Sequence, residues 1–144
     1  MTLAQALITL FGIHADPATL NILQDAAHTH DADLTTVVAI AVRESSVGTA
    51  RVRHLLCGVQ VYVTCDPGST ERWRRRGRCV MRDYVAQANY TARTIGVVRR
   101  IANLRSYLTS WRCGPNAACR AGLGQTYATE VLSYRERIRQ ALAR

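Results

Sequence analysis

The fold of this 144-residue chain is organised around one segment, which reads Leu34-Thr35-Thr36-Val37-Val38-Ala39-Ile40-Ala41-Val42-Arg43-Glu44-Ser45-Ser46. Its apolar run, residues 34–41, predicts a helix that is buried on more than one face. Asp33 suits the start of that helix as a capping residue, and the polar residues after Glu44 end it. A buried carboxylate costs free energy unless it is paired or hydrogen-bonded, so a carboxylate at the end of a buried helix suggests a function. Glu44 is therefore the first candidate functional residue.

Helices are also predicted on both sides of this segment. Upstream, residues 1–13 are apolar, and Asp16 followed by Pro17 is a typical helix start for a segment that runs to about Thr29. Downstream, residues 80–111 read as one or two helices and residues 126–142 as a final amphipathic helix, with a loop at 112–124 between them. The fold class predicted from this pattern is mainly α, in a single domain spanning residues 1–144.

The stretch between Ser46 and residue 80 is the least helical part of the chain. Val59, Val61 and Val63 alternate with polar or aromatic residues, which predicts a short strand or β-hairpin near 57–64. The turn residues at 66–68 and the possible caps after them favour a short basic helix over residues 71–76.

Charge is distributed unevenly along the chain. Residues 1–50 carry a net charge of −4 and residues 51–144 carry +13, and all 19 basic residues are arginines. A basic surface of this kind implies an anionic partner, which leaves nucleic acid, anionic lipid and an anionic cell wall open. No apolar run approaches the roughly 20 residues of a membrane span. The N-terminal segment lacks a basic region and a cleavage site, so it is interpreted as a helix of the fold and not as a signal peptide.

The five cysteines follow no zinc-binding spacing. Cys113 and Cys119 flank a short loop and are predicted to form a disulfide. A second bridge between two of Cys57, Cys65 and Cys79 is expected in an oxidising compartment. Reduced, buried thiols in a cytosolic protein are the alternative.

Three motifs in order along the chain resemble those of a known family. Glu44-Ser45 ends the apolar helix, Gly58-Val59-Gln60 follows 16 residues after Glu44, and the C-terminal part contains Trp111-Arg112-Cys113-Gly114 and then Gly124-Gln125-Thr126-Tyr127-Ala128. This order is similar to that of the lysozyme-like lytic transglycosylases of the soluble lytic transglycosylase and goose-type lysozyme group. The resemblance covers about residues 16–140. At the third motif, Trp111-Arg112 stands where the family has Tyr-Asn.

The resemblance implies a lysozyme-like domain that cleaves peptidoglycan at the β-1,4 bond between N-acetylmuramic acid and N-acetylglucosamine. It implies that Glu44 is the catalytic acid, that Ser45 and Gln60 contact substrate, and that Tyr127 lies beside Glu44. Burial against apolar walls raises a carboxyl pKa and suits Glu44 to this role. An inverting hydrolase needs a second carboxylate. Candidates for it, Asp66, Glu71 and Asp83, lie outside the family motifs.

A lytic transglycosylase needs only one glutamate, so the sequence favours that chemistry over hydrolysis, with 1,6-anhydro-muramic acid ends as product. No cofactor or metal is expected. The expected partners are the glycan strands themselves and, through the arginine-rich face, anionic wall polymers or phospholipid, with the protein acting as a monomer. The expected location is secreted, periplasmic or delivered to the wall by a phage.

Other interpretations remain open at this point. The run of residues 72–78 interleaves Trp73 with five arginines, which is compatible with nucleic-acid binding. A lysozyme-like module that binds the wall without cleaving it is a further alternative. His28, His30 and Asp31 would be a weak metal site, and a solvated helix end is the preferred interpretation of these residues.

Overall fold

The computed structural model describes residues 1–47, 60–62, 73–75, 78–80, 84–101 and 103–144, with side chains at 1–47, 84–97 and 103–144. The α-helices in these ranges are α1 Leu3–Phe11, α2 Pro17–Thr29, α3 Leu34–Ser45, α4 Tyr84–Ile101, α5 Leu104–Cys113, α6 Ala117–Cys119 and α7 Gln125–Leu142. The described chain is mainly helical, as predicted from the sequence. None of these described helices combines the length and the apolarity that a membrane crossing requires.

Helix α3 forms the centre of the core. It packs against α2 and α4 and most extensively against α7. Seven consecutive residues of α3 are buried, which are Thr36, Val37, Val38, Ala39, Ile40, Ala41 and Val42. A helix buried on every side needs apolar residues on every side, and each fully buried valine or isoleucine contributes about 1.5–3 kcal/mol to folding. The predicted buried helix is confirmed.

The N-terminal end of α3 is fixed by a polar cluster. The Asp33 carboxylate accepts hydrogen bonds from the hydroxyls of Thr35, at 2.9 Å, and of Thr36, at 2.5 Å, and not from a backbone N–H. Arg139 of α7 donates to Asp33 Oδ2 at 3.1 Å and to Thr35 Oγ1 at 3.2 Å. Asp33 thus serves as the predicted N-cap residue and also ties α3 to α7.

Helices α1 and α2 close one side of this core. The predicted start of α2 is confirmed, because Asp16 Oδ1 accepts from the Ala18 N–H at 2.9 Å and Pro17 is the first helical residue. Helix α1 docks its end on α7. The ring of Phe11 meets that of Tyr134 edge-on, with centroids 5.1 Å apart. Arg137 Nη2 donates to the Leu10 carbonyl at 3.0 Å.

A small antiparallel sheet contains β1 Gln60–Tyr62, β2 Trp73–Arg75 and β3 Arg78–Val80, with β3 in the middle. Strand β1 lies inside the segment 57–64 where a strand or hairpin was predicted, but its partner is β3 and not a neighbouring part of that segment. The remainder of 57–64 lies outside the described residues.

The basic helix predicted at 71–76 is wrong, because Trp73–Arg75 pairs with Arg78–Val80 as a strand. A helix through this run would place arginines three and four residues apart on one face, where like charges repel. Residues 73–75 instead form a strand that pairs with β3. The sequence pattern of one segment does not show which segment it will pair with.

The segment 112–124, predicted as a loop, is largely helical. Helix α5 continues to Cys113, and α6 leads through a π-helical turn at Arg120–Gly124 directly into α7. Asn116 Oδ1 caps α6 by accepting from the Cys119 N–H at 2.8 Å. The predicted Cys113–Cys119 disulfide is confirmed, with Cα atoms 5.5 Å apart. The pairing predicted among Cys57, Cys65 and Cys79 lies outside the described side chains.

Candidate functional site

The backbone at the end of α3 places Glu44 in the last helical turn. The N–H groups of Ser46 and Val47 donate to the carbonyls of Val42, at 3.1 Å, and Ala41, at 3.0 Å, which is the Schellman arrangement. Ser46 and Val47 both have positive φ, 50° and 58°. A β-branched residue rarely adopts that conformation, and strained backbone of this kind clusters at functional sites.

Helix α7 supplies the residue that touches Glu44. Tyr127 is 2% exposed, and its phenolic hydroxyl donates a hydrogen bond of 2.7 Å to Glu44 Oε1. The two residues are 83 positions apart in the sequence, so only the packing of α7 along α3 brings them together. The structure therefore joins two of the four residues predicted for the site.

The surroundings of Glu44 favour its protonated form. Burial raises the pKa of the Glu44 carboxyl above its ordinary value. The hydrogen bond from Tyr127, the charge of Arg43, a hydrogen bond from Trp111 and the charge of Arg112 each lower this pKa, but together they do not cancel the effect of burial. A carboxylic acid that keeps its proton toward neutral pH is what general acid catalysis requires.

The Tyr127 hydroxyl is held as a donor. Burial raises the pKa of the Tyr127 phenol, and the negative charge of the neighbouring Glu44 carboxylate and their hydrogen bond raise it further. The phenol therefore keeps its proton at neutral pH. Because it donates to Oε1, it leaves Glu44 Oε2 as the oxygen on which a transferable proton can reside.

An ion pair lies directly beside this contact. Arg43 binds Glu130 of α7 through its Nε atom, and its guanidinium carbon lies 5.5 Å from the centre of the Tyr127 ring. Glu130 follows Tyr127 by three positions and so lies on the same face of α7. This ion pair was not predicted from the sequence. Its only signal was that spacing, which has meaning once the packing of α3 on α7 is known.

Helices α4 and α5 contribute an aromatic cluster to the same region. Trp111 forms a hydrogen bond that acts on Glu44, and its ring centre lies 5.6 Å from that of Tyr107 and 6.2 Å from that of Tyr90. Trp111 was noted in the third motif but was not predicted as a site residue. Its position on the last turn of α5, beside Arg112, accounts for the effect of both residues on Glu44.

Gly124 allows α5 to lie close to the start of α7. A β-carbon on Gly124 would lie 3.0 Å from Cys113 Sγ and 3.2 Å from the Thr109 carbonyl oxygen. The π-helical turn that ends at Gly124 is a feature often found at functional sites.

The two remaining predicted site residues are placed differently. Ser45 is 2% exposed, and its hydroxyl donates to the Ala41 carbonyl at 3.4 Å, back along its own helix. Gln60 begins β1 opposite Val80, and its side chain lies outside the described residues. The structure thus puts Ser45 directly behind Glu44, in the core, and fixes only the backbone position of Gln60.

The region considered as a weak metal site is engaged in packing. His30 Nε2 lies 3.0 Å from Asn89 Oδ1 of α4, and a β-carbon on Gly96 would lie 2.4 Å from the His30 carbonyl oxygen. Within the part of the chain that the structure describes, no group of three His, Cys, Asp or Glu side chains is arranged to hold a metal ion.

Taken together, the described side chains present one carboxylic acid of raised pKa at the end of a buried helix, with a phenol donor and aromatic rings around it. That arrangement can donate a proton and take one back. No protein-family model, no curated protein and no solved structure matches this chain.

Proposed function

We propose that this protein cleaves the β-1,4 glycosidic bond between N-acetylmuramic acid and N-acetylglucosamine in peptidoglycan, with Glu44 as general acid and then general base. The observation that carries the proposal is the 2.7 Å hydrogen bond from Tyr127 to Glu44 Oε1 in a site where burial raises the pKa of the carboxyl. A lysozyme-like architecture is part of the same proposal, supported by the buried helix that carries Glu44 in its last turn and by the motif order of the sequence.

In the first step, Glu44 transfers its proton to the glycosidic oxygen. The bond between that oxygen and C1 of the muramic acid then breaks, and positive charge develops at C1. Tyr127 stays protonated and continues to donate to Oε1, so it stabilises the carboxylate that the proton leaves behind. The partly buried Trp111 and Tyr90 offer flat apolar faces on which sugar rings can stack.

In the second step, the Glu44 carboxylate removes the proton from the C6 hydroxyl of the same muramic acid. The C6 oxygen bonds to C1, which gives a 1,6-anhydro end and restores protonated Glu44. One glutamate therefore serves both steps. Glu130, a carboxylate close to Tyr127 on α7, is bound to Arg43, which favours this single-glutamate chemistry over hydrolysis in which Glu130 is the second carboxylate. The candidates named from the sequence, Asp66, Glu71 and Asp83, lie outside the residues that the structure describes.

The experiment is digestion of purified peptidoglycan followed by mass spectrometry of the released muropeptides. We expect wild-type protein to clear the suspension and to release products lighter than the hydrolytic ones by one water. Glu44→Gln should release none, while Glu136→Gln, which removes a carboxylate elsewhere, should behave like the wild type.

Other outcomes would replace the proposal. Products with reducing ends would make the enzyme a muramidase. Sedimentation with the wall without cleavage would identify a wall-binding module, and salt-sensitive binding to DNA without wall binding would identify a nucleic-acid-binding protein.

A further inference from the structure

We propose that Glu130 is a positioning residue for Glu44, because it holds the Arg43 guanidinium over the Tyr127 ring and away from the Glu44 carboxyl. Its effect on catalysis rests on the proposed function. Its effect on the titration of Glu44 does not, so the two can be tested separately.

Two bridges join α3 to α7 side by side. Arg43 and Glu44 are consecutive on α3, and Tyr127 and Glu130 are three positions apart on α7. Tyr127 donates to Glu44 at 2.7 Å, while Arg43 pairs with Glu130. Consecutive residues point about 100° apart around a helix. Each bridge therefore engages one member of each pair, and the cation faces Glu130 instead of Glu44.

The position of Arg43 matters because it is the strongest cationic influence on Glu44 among the residues that the structure describes. The charged and titratable groups that act on Glu44 in the described part of the chain are Arg43 on its own helix, Arg112 on α5, and Tyr127 on α7. Of the two arginine charges, Arg43 has the larger effect. If Glu130 were neutral, Arg43 would be free to turn toward the adjacent Glu44 carboxylate and stabilise it.

Stability alone gives a weak reason for this ion pair. The side chains of Arg43 and Glu130 are 39% and 38% exposed, and ion pairs of that exposure add little to folding. The Arg43 guanidinium also makes a cation–π contact with the Tyr127 ring. The pair lies where it controls the charge and the geometry around Glu44, and its removal should leave the fold intact.

The decisive experiment is a carboxyl titration by NMR. The chain contains only four glutamates, Glu44, Glu71, Glu130 and Glu136, so carbon-13 labelling at the glutamate carboxyl gives four signals that single Gln variants assign. Compared with the wild type, Glu130→Gln should move the Glu44 titration to lower pH, and Arg43→Gln should move it to higher pH. The double variant should titrate like Arg43→Gln, because Glu130 acts on Glu44 through Arg43; a return to the wild-type titration would show two independent charges and overturn the inference. Glu136→Gln, the matched control on α7, should leave the Glu44 titration unchanged.

The pH dependence of wall cleavage should shift in the same direction as the Glu44 titration in each variant. On the alkaline side of the pH–rate profile, the rate of wall cleavage should fall about threefold in Glu130→Gln. In Arg43→Gln, cleavage should continue to higher pH than in the wild type. Shifts of the same sign in both variants, or an unmoved Glu44 titration with a lowered melting temperature, would make the pair merely structural and overturn the inference. A wild-type protein that cleaves no wall at any pH overturns the proposed function instead, while the NMR result still decides the role of Glu130.

Discussion

Tyr127 Oη lies 2.7 Å from Glu44 Oε1, and this contact joins the last turn of α3 to the first turns of α7. Tyr127 is the donor and its ring is buried, so the contact is both a packing interaction and a hydrogen bond to the carboxyl. It is the point at which the core of the fold and the candidate chemistry coincide.

Replacing Tyr127 with Phe keeps the ring and removes only the donor. The hydrogen bond from Tyr127 lowers the pKa of Glu44 against the larger effect of burial, so its loss should extend wall cleavage to higher pH. The rate at the optimum should fall about tenfold, because the carboxyl loses its orienting partner. A pH–rate profile measures both effects.

The control for that variant is Tyr134→Phe, also on α7. Tyr134 lies seven positions after Tyr127 on α7, and its ring packs on Phe11. The pH–rate profile of this variant should therefore match that of the wild type. An equal change in both variants would contradict a specific role for the Tyr127 hydroxyl.

Glu44→Gln should make the folded protein more stable while it removes activity. The pKa of Glu44 is higher in the folded protein than in the unfolded chain. Below the unfolded pKa the carboxyl is neutral in both states and its burial costs little. As pH rises through the folded pKa, the buried charge lowers the free energy of unfolding. Gln removes that charge and still accepts from Tyr127. We expect the melting temperature at pH 7–8 to rise by about 2–4 °C.

That gain should shrink in acid, because the wild-type carboxyl is then protonated and neutral. Thermal melts of both proteins from pH 4 to 8 test this directly. A variant that is less stable than the wild type at pH 8 would show that Glu44 contributes to the fold, contrary to the sign of its pKa shift.

The sequence was sufficient to predict the central features of the site. The apolar run before Glu44 predicted α3 because burial on every side leaves a continuous local pattern. The position of Tyr127 beside Glu44 was expected only from what the family resemblance implies. Their roles in catalysis stay predictions.

The features that were missed depend on contacts that the local sequence pattern does not report. Strand β2 is a strand because it pairs with β3, whereas the turn residues at 66–68 and the possible caps after them suggested a short basic helix. The helical path through 117–124 was missed because its glycines were interpreted as a loop, although Asn116 caps it and the disulfide holds it against α5. The Arg43–Glu130 pair exists only because α7 packs on α3.

Asp33 should show a pH dependence opposite in sign to that of Glu44. Burial by itself would raise the pKa of Asp33, but hydrogen bonds from Thr36 and Thr35 and the charge of Arg139 lower it overall. The Asp33 carboxylate therefore stabilises the folded protein at pH values above its unfolded pKa. This stabilisation is lost as pH falls through the folded pKa. Asp33→Asn should cost about 1 kcal/mol at pH 7.

The measurement is chemical denaturation of Asp33→Asn and the wild type at pH 7 and below pH 3. The two proteins should differ at the higher pH and converge at the lower one. Asp25→Asn, an exposed position of α2, is the control and should match the wild type at both. A difference that persists below pH 3 would mean that the carboxylate charge of Asp33 is not the source.

Gly96 should be the least replaceable glycine among those described with their surroundings. A β-carbon there would lie 2.4 Å from the His30 carbonyl oxygen, and that oxygen belongs to the backbone and cannot turn aside. Gly96→Ala must therefore separate α4 from the end of α2, where His30 also contacts Asn89. We expect denaturant unfolding to show a loss of about 2–3 kcal/mol in the free energy of unfolding.

Gly122→Ala is the matched control, because nothing lies within 4 Å of a β-carbon built at Gly122. The stability of this variant should equal or slightly exceed that of the wild type. Equal stability of the two variants would show that α4 does not need the close approach at His30.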